Sequence, residues 1–475
     1  MKANQLWPIW QALLLSYGGS FTRPGFRRFA EWTTGLALND EEHTITQSLV
    51  GLGRTQDWRA LEAFAEYGAW DRDAIERATA RLLEDAPGRL WHGYHVWAGD
   101  DTKVHRSSQD VWGTCTFREH SGRCPNRART VRAHNWVSYG ALLHNPGQPA
   151  WFLPTAGRLY FRLSQLPGPG STGGPPVVFH TKCELLVELA RAQAQAVAGK
   201  HLAVVDGAFA TASVLRPLAW PEDGAAKVDV LTRLRHDARL HELPPAPRRP
   251  GQRGRTPDWG RRLPPPRQGG RWPGPWQQGQ AFVYGRVRPV RWKERCCLWR
   301  PLGPDVLVKV VVAQVEGYPK RFTLLSTAVR LSGLQMVELF AARFRQEDAF
   351  RDLKQRLGWE ECRAWTRNPI ERTTQALFVT MTLLRLLQFE LDRRGAEGWW
   401  SAPPWNRGKS RPSVLDLGRL LRGGTLPRPV PAARGAGRPD RRACAAEPLP
   451  GAAGKGAPLA DRERRSAAGR NLSRT

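Results

Sequence analysis

The sequence predicts an α/β protein in which a layered core follows a helical N-terminal domain and precedes a basic tail. Three features indicate this order: apolar residues at helical spacing near the N-terminus, short β-rich runs that later alternate with helices, and a C-terminal stretch rich in Pro, Gly, Ala and Arg. Strands alternating with helices are typical of a sheet with helices packed on its faces. At 475 residues and 41% hydrophobic content, the chain can bury at least one large core.

The first domain is expected to span residues 1–90 and to bind DNA. Its apolar residues recur at helical spacing between about residues 26 and 90, most clearly in 57–67 and 72–83. Residues 44–53 fit either one part of a helix-turn-helix unit or a plain helical bundle, and the spacing does not separate these two interpretations.

The first part of the core is expected at residues 91–235. Predicted strands lie at 95–98, 135–143, 150–163, 202–205 and 228–234, with a helix at 181–197. Asp100 follows the first of these strands and Asp206 follows the fourth. Side chains at strand ends emerge at the rim of a sheet, where α/β folds commonly place chemistry. Asp100 and Asp206 are therefore candidate functional residues.

The rest of the chain is expected to divide into three segments. Residues 236–330 predict a β-rich insertion with strands at 281–287 and 306–315. Its opening stretch contains too much Pro, Gly and Arg for a packed element. Residues 331–395 predict the second part of the core, with long helices at 332–357 and 370–391. Residues 396–475 form a basic, low-complexity tail in which we expect disorder. This composition also fits a frameshifted end.

The formal net charge is +29, so a polyanion is the expected partner and nucleic acid fits best. A GC-rich genome, which inflates Arg content, is the alternative source of the charge. The seven cysteines contain no C-x-x-C pair, which argues against a zinc ribbon or a disulfide framework and predicts reduced, mostly buried thiols. No signal peptide or run of 18 apolar residues occurs, so we expect a cytoplasmic, nucleoid-associated protein without membrane contact.

The strongest functional pattern lies on the predicted helix 332–357. Phe340, Glu347 and Lys354 are seven residues apart and drift only about 20° per step, and Arg343 lies close to the same line. Charged residues at this spacing usually mark a solvated face with weak ion pairs. Together with Asp100 and Asp206, however, Glu347 completes a set of carboxylates of the kind needed to hold two metal ions about 4 Å apart for phosphodiester chemistry.

Phe340-x2-Arg343-x3-Glu347-x6-Lys354 resembles the Y-x2-R-x3-E-x6-K signature of the DDE transposases of bacterial insertion sequences, in the insertion-sequence-four-like superfamily. The one departure is Phe340 in place of Tyr, which keeps the ring and loses the hydroxyl. Asp100-Asp-Thr resembles the family's first-aspartate motif, and Val205-Asp206-Gly-Ala-Phe resembles the second. The resemblance covers roughly residues 30–393.

This resemblance implies an RNase H-like catalytic core and a homodimer acting on double-stranded DNA. It implies cleavage at the inverted-repeat ends by water activated on Mg²⁺, with Mn²⁺ as a substitute, followed by attack of the freed 3′-OH on target DNA. A DNA hairpin intermediate is usual in this branch. The implied catalytic and metal-binding residues are Asp100, Asp206 and Glu347, and the implied DNA phosphate contacts are Phe340, Arg343 and Lys354. Arg233 is a further candidate phosphate contact, and an exposed strand residue without this role is the alternative.

Several alternatives stay open at this stage. Asp101 competes with Asp100 as the first metal ligand, although the first Asp of such a pair is the usual one in the family. Trp292 and Trp299 are candidates to hold a flipped base, against the simpler interpretation that both pack in the insertion. The rival functions are a decayed or domesticated transposase that binds DNA without catalysis, and a stand-alone RNase H-like nuclease.

Overall fold

The computed structural model has a mixed β-sheet at its centre, with helices on both faces. The described residues are 6–118, 130–168, 176–246, 257–394 and 399–425. Predictions for other positions, including most of the tail at 396–475, lie outside these residues. Within them, no helix is both long and apolar enough to cross a lipid bilayer.

The N-terminal part is helical, as its apolar spacing predicts. Its helices are α1 (Leu6–Leu15), α2 (Arg23–Leu38), α3 (Gln47–Gly51), α4 (Trp58–Tyr67) and α5 (Arg72–Leu82). The α2 helix begins at Thr22, whose side chain accepts a hydrogen bond from the Gly25 amide. The α3 helix has only five residues, and its buried Ser48 and Leu49 pack toward α2. Such packing occurs both in a helix-turn-helix unit and in a plain helical bundle, so the structure does not separate the two interpretations of residues 44–53.

One sheet joins the core and the predicted insertion. Its strands are β1 (Leu90–Trp91), β2 (Tyr94–His105), β3 (Cys115–Arg118), β4 (Thr130–Leu143), β5 (Trp151–Tyr160), β6 (His201–Val205), β7 (Val228–Arg233), β8 (Leu240–His241), β9 (Gln277–Val283), β10 (Arg286–Trp299), β11 (Leu307–Val315) and β12 (Phe322–Ser326). The order is β3-β4-β2-β6-β7-β12-β11-β10-β8, with β1 on β2, β5 on β4 and β9 on β10. The β2–β6 and β6–β7 pairs are parallel and the others antiparallel. The insertion strands therefore extend the core sheet past β12.

The helices that follow β5 in the chain cover both faces of this sheet. They are α6 (Lys182–Ala196), α7 (Ala212–Ala219), α8 (Gly333–Ala342), α9 (Arg345–Gln355), α10 (Arg367–Arg393) and α11 (Val414–Thr425). On β2, Asp101 contacts Lys182 of α6, whereas its neighbour Asp100 contacts Arg343 at the start of α9. Because successive strand residues point to opposite faces, α6 and α9 lie on opposite sides of the sheet.

The prediction of one continuous helix over 332–357 is wrong, because α8 ends at Ala342 and α9 begins at Arg345. The two intervening residues keep right-handed helical backbone angles. The amides of Phe344, Gln346 and Glu347 bond three residues back instead of four. This tighter turn rotates the chain further per residue than an α-helix does, and it occurs at Arg343, within the signature.

Two strand predictions also need correction. Asp100 does not end its strand, because β2 continues to His105 and pairs with β4 over its whole second half. The predicted strand at 281–287 crosses a turn at Tyr284 and Gly285, whose φ angles are 50° and 89°. Strand propensity continues through Tyr284, so the apolar pattern does not reveal this hairpin turn, although Gly285 is a typical turn residue.

The prediction of a disordered tail is wrong for residues 399–425, because this segment contains a helix that packs against the core. The α11 helix packs against α1, α2 and α10 and buries Val414, Leu417 and Leu421. These three residues have the i, i+3, i+7 spacing of an amphipathic helix, which the surrounding Pro, Gly and Arg residues obscure in the sequence.

The five cysteines that the structure describes are all free thiols, as the sequence predicts. Cys115, Cys297 and Cys362 are buried, Cys183 is half-buried and Cys296 is exposed.

A buried ion pair connects the N-terminal helices to the sheet. Arg158 of β5 contacts Glu76 of α5 at 2.6 Å and Glu188 of α6 at 2.6 Å. The side chains of Arg158 and Glu76 are 7% and 4% exposed, whereas that of Glu188 is 45% exposed.

We expect Glu76→Gln to lower the free energy of unfolding by about 3 kcal/mol, because it leaves a buried charge without its main partner. Glu188→Gln, the matched control, should cost about 1 kcal/mol or less. Equal losses in urea unfolding would contradict the burial argument.

The packing of α11 leads to a second stability prediction. Leu417 is fully buried, so Leu417→Ala should lower the free energy of unfolding by about 3 kcal/mol through lost burial and a residual cavity. Arg419→Ala on the exposed side of the same helix is the control and should have little effect. If thermal unfolding of the two variants were the same, α11 would not be part of the cooperative core.

Candidate active site

The register of the parallel strands brings two of the predicted site residues side by side. The β2–β6 pairing ends with Gly99 opposite Val205, so Asp100 and Asp206 are the next residues on two neighbouring strands. The β6–β7 pairing ends with Val205 opposite Thr232, which places Arg233 next in the same row. The Thr232 hydroxyl donates a hydrogen bond of 3.0 Å to the carbonyl of Asp206. Two adjacent strand ends thus hold this edge of the site together.

Arg343 joins three carboxylates from three separate elements. Its guanidinium lies 2.7 Å from Asp100, 3.6 Å from Asp206 and 3.9 Å from Glu347. The arginine side chain is 11% exposed, and those of Asp206 and Glu347 are 41% and 49% exposed. Residues that are 247 positions apart in the sequence therefore converge on one cation, with their carboxylates open to solvent on one side.

Asp100 and Asp101 point to opposite faces of β2, and only Asp100 faces the carboxylate cluster. Asp101 points to the opposite face of β2, where it accepts a hydrogen bond of 2.6 Å from Lys182. Asp100 points toward Arg343 and therefore toward Asp206 and Glu347. Asp100 thus remains the candidate, and Lys182 is a neighbour that the sequence analysis did not identify.

The remaining signature residues surround this cluster unequally. The Arg343 guanidinium lies 5.6 Å from the centre of the half-buried Phe340 ring, so the ring forms a wall behind the arginine. Arg233 is exposed at the end of β7. Lys354 is half-buried, about 10 Å further along α9 than Glu347, so it belongs to a more distant part of the same surface.

Gln346 anchors α9 to the sheet, and the sequence analysis missed it. It is fully buried, and its amide donates a hydrogen bond of 3.1 Å to the Ser138 hydroxyl. Ser138 is the β4 residue directly opposite Asp100, so this bond holds the helix of Glu347 above the strand of Asp100. The signal in the sequence was a polar residue within the R-x3-E spacing, beside Glu347.

Tyr284 brings the insertion to the site, and it too was missed. It lies in the turn between β9 and β10, and its ring centroid is 6.4 Å from that of Phe344. Desolvation is the main cause that raises the pKa of Tyr284. The charges of three site residues also act on this pKa: Arg233 and Arg343 lower it, and Glu347 raises it. By contrast, Trp292 and Trp299 are 6% and 7% exposed, as the packing interpretation predicts.

The environment of Asp100 and Glu347 opposes the ionisation of these two carboxyl groups. Burial raises the pKa of Asp100 to about 6, against the opposing effect of Arg343. Desolvation likewise raises the pKa of Glu347, and the negative charges of Asp206 and Asp348 add to the effect. Perturbed carboxylates that face one another at a solvent-open edge are typical of functional sites.

A comparison with protein families matches residues 17–297 to the model described as DDE superfamily endonuclease, which covers more than half of the chain. The chain belongs to this family. The matched segment includes Asp100 and Asp206 and ends before α9. No curated protein matches the chain.

DDE superfamily endonucleases generally use divalent metal ions, and the donor set of this site fits them. Three carboxylates supply the oxygen ligands that Mg²⁺ and Mn²⁺ prefer. The described residues contain no group of three His, Cys, Asp or Glu side chains close enough to hold an ion. At this site Arg343 lies between the carboxylates. Binding of an ion by these three carboxylates would therefore require Asp206 and Glu347, which are roughly half exposed, to turn toward Asp100.

The opposite orientations of Asp100 and Asp101 predict different effects on metal binding. We expect Asp100→Asn to weaken Mn²⁺ binding more than about 100-fold, because loss of a direct ligand should exceed the loss of an outer-shell partner. Asp101→Asn breaks only a partly exposed ion pair and should change the affinity less than about fivefold. Calorimetric titration with Mn²⁺ would measure both. A larger loss in Asp101→Asn would reverse the assignment.

Proposed function

We propose that this DDE endonuclease is a transposase that cleaves the inverted-repeat ends of an insertion sequence and joins them to target DNA. The observation that carries the proposal is the convergence of Asp100, Asp206 and Glu347 on Arg343 at an open edge of the sheet. Two-metal phosphodiester chemistry requires several carboxylates that converge, and here three different elements supply one each. The family match supports nuclease chemistry independently.

In this proposal Asp100, Asp206 and Glu347 hold Mg²⁺, for which Mn²⁺ substitutes. The bound ions would activate water or a 3′-OH and stabilise charge on the attacked phosphate. The protein orients these ligands: the register of β2 and β6 sets the two aspartates side by side, and Gln346 fixes the helix that carries Glu347. Asp206 and Glu347 keep enough exposure for a DNA strand to reach them.

Arg343, Arg233, Lys354 and Phe340 form the proposed phosphate-binding surface. The Arg343 guanidinium contacts the carboxylates at the solvent-open edge of the sheet, and a guanidinium matches the geometry of a phosphate. The ring of Phe340 backs the guanidinium, so the missing Tyr hydroxyl does not remove support for Arg343.

The finer assignments follow from the sequence resemblance and remain proposals. They are the signature subgroup, an RNase H-like core built on β5-β4-β2-β6-β7, a DNA-binding role for residues 1–90, and a homodimer on double-stranded DNA. The net charge of +29 supports DNA as the partner. The exposed Arg233, beside Asp206, adds positive charge at the edge of the site.

The test is cleavage of a labelled duplex that carries the element's own terminal repeat, in the presence of Mg²⁺ or Mn²⁺. We expect cutting at the repeat end and joined products, with a loss of more than about 100-fold in Glu347→Gln because a direct metal ligand is removed. Glu338→Gln on α8 is the matched control, since that carboxylate contacts His92 and not Arg343. It should cleave like the wild type.

Each other outcome identifies a rival function. Cutting without joined products would indicate a stand-alone nuclease. Specific binding of the repeat without cutting, in the wild type as in Glu347→Gln, would indicate a transposase that has lost catalysis. Cutting that survives Glu347→Gln would place the chemistry elsewhere.

A further inference from the structure

A second cationic site lies beside the candidate active site, around Trp151. Its cavity of about 530 Å³ is bounded by Trp151 of β5, by α9, by α10 and by the segment that precedes α11. Five cationic side chains line it: Arg345, Arg351, Arg385, Lys409 and Arg411. Two carboxylates, Asp348 and Asp352, are the acidic groups of the same lining. We call this cavity the Trp151 pocket.

The acidic groups near the pocket are mostly occupied by other cations. Asp348 contacts Arg345 at 2.7 Å and Arg351 at 2.9 Å. Lys409 contacts Asp416, which lies outside the lining. This leaves Arg385 and Arg411, and no carboxylate among the described residues lies within ion-pair distance of either one.

Both remaining guanidinium groups instead bond to neutral oxygens. Arg385 donates to the Gln388 side chain and to the Pro412 carbonyl, each at 2.9 Å, and Arg411 donates to the Pro149 carbonyl at 3.0 Å. Arg385 and Arg411 also lie 4.7 Å and 4.0 Å from the centre of the Trp151 ring. The ring and the carbonyls hold the two cations close together. The carboxylates of Asp348, Asp352 and Asp416 attract these cations, but from beyond ion-pair distance.

The burial of Arg385 makes this arrangement costly without an anion. The residue is 6% exposed, and burial, together with the nearby charge of Arg411, lowers its pKa to about 10. Burial and the charge of Arg345 lower the pKa of Arg411 in the same way. A protein normally buries such charges only with a counter-ion, and paired guanidinium groups match the geometry of a phosphate.

We propose that the Trp151 pocket binds a backbone phosphate of the DNA on which the active site acts. The α9 helix connects the two places, because Arg345 and Asp348 line the pocket and flank Glu347 within about one helical turn. In this proposal, a strand bound at the three carboxylates continues along α9 to Arg411. This proposal rests on the proposed function only in taking DNA as the substrate.

The test measures affinity for the terminal-repeat duplex by fluorescence anisotropy, without divalent metal, across a range of salt concentrations. Arg411→Gln should weaken binding about tenfold, the size expected for one charge-assisted contact. It should also reduce the slope of log affinity against log salt by about 0.9, corresponding to one phosphate fewer. Arg411→Lys should keep the slope while losing part of the affinity, because it preserves the charge and loses the planar fork.

Arg419→Gln is the matched control, since it removes one cation from exposed α11 outside the pocket. Its slope should equal that of the wild type. If Arg411→Gln behaved like Arg419→Gln, the pocket would not contact phosphate and the proposal would be overturned. Thermal unfolding of Arg411→Gln must match that of Arg411→Lys, so that a slope change reports a lost contact and not a lost fold.

The outcome is separable from that of the proposed function. If the wild type cuts and joins the repeat but Arg411→Gln leaves the salt slope unchanged, the transposase proposal stands and the proposal for the Trp151 pocket is wrong. If the wild type never cuts the repeat but Arg411→Gln reduces the salt slope, the Trp151 pocket stands as a DNA contact and the catalytic proposal is wrong.

Discussion

The buried cation at Arg343 is the interaction on which the candidate site depends. Three carboxylates in one place repel one another, and the environment around Asp100 and Glu347 already disfavours their charged forms. Arg343 offsets this repulsion through contacts to all three. The arginine in turn is tolerable in a nearly buried position only because the carboxylates surround it. The contacts of Arg343 therefore join three separate parts of the fold: strand β2, the end of β6 and helix α9.

These contacts of Arg343 require close packing on both faces of β2. Gly99, immediately before Asp100, has no side chain, and a Cβ there would lie 2.4 Å from Leu186 of α6 and 3.0 Å from Tyr139. The α6 helix thus approaches the sheet closely beneath the site, and Lys182 can reach Asp101. On the other face Gln346 ties α9 to Ser138. The two faces together set which of two adjacent aspartates turns toward Glu347.

The limits of sequence prediction follow from this packing. Apolar spacing predicted the core strands, the position of Asp206 after β6, and the shared face of Arg343 and Glu347, because each depends on local periodicity. The choice between Asp100 and Asp101 did not follow, since it depends on which helix covers which face of β2. Tyr284 was missed for a related reason. Its run reads as one strand, and only the fold shows that the turn at Gly285 brings the ring to Phe344.

The segment before α11 shows how composition can mislead. Pro, Gly and Arg dominate residues 399–425, yet Val414, Leu417 and Leu421 are buried against the N-terminal helices and α10. These three apolar side chains at helical spacing pack against α1, α2 and α10, so residues 414–421 belong to the core and not to a disordered tail. The docked helix also fixes the chain at Pro412, whose carbonyl accepts from Arg385. The neighbouring Arg411 is thereby held against Trp151. The segment before α11, whose composition is typical of a tail, therefore contributes Lys409 and Arg411 to the Trp151 pocket beside α9.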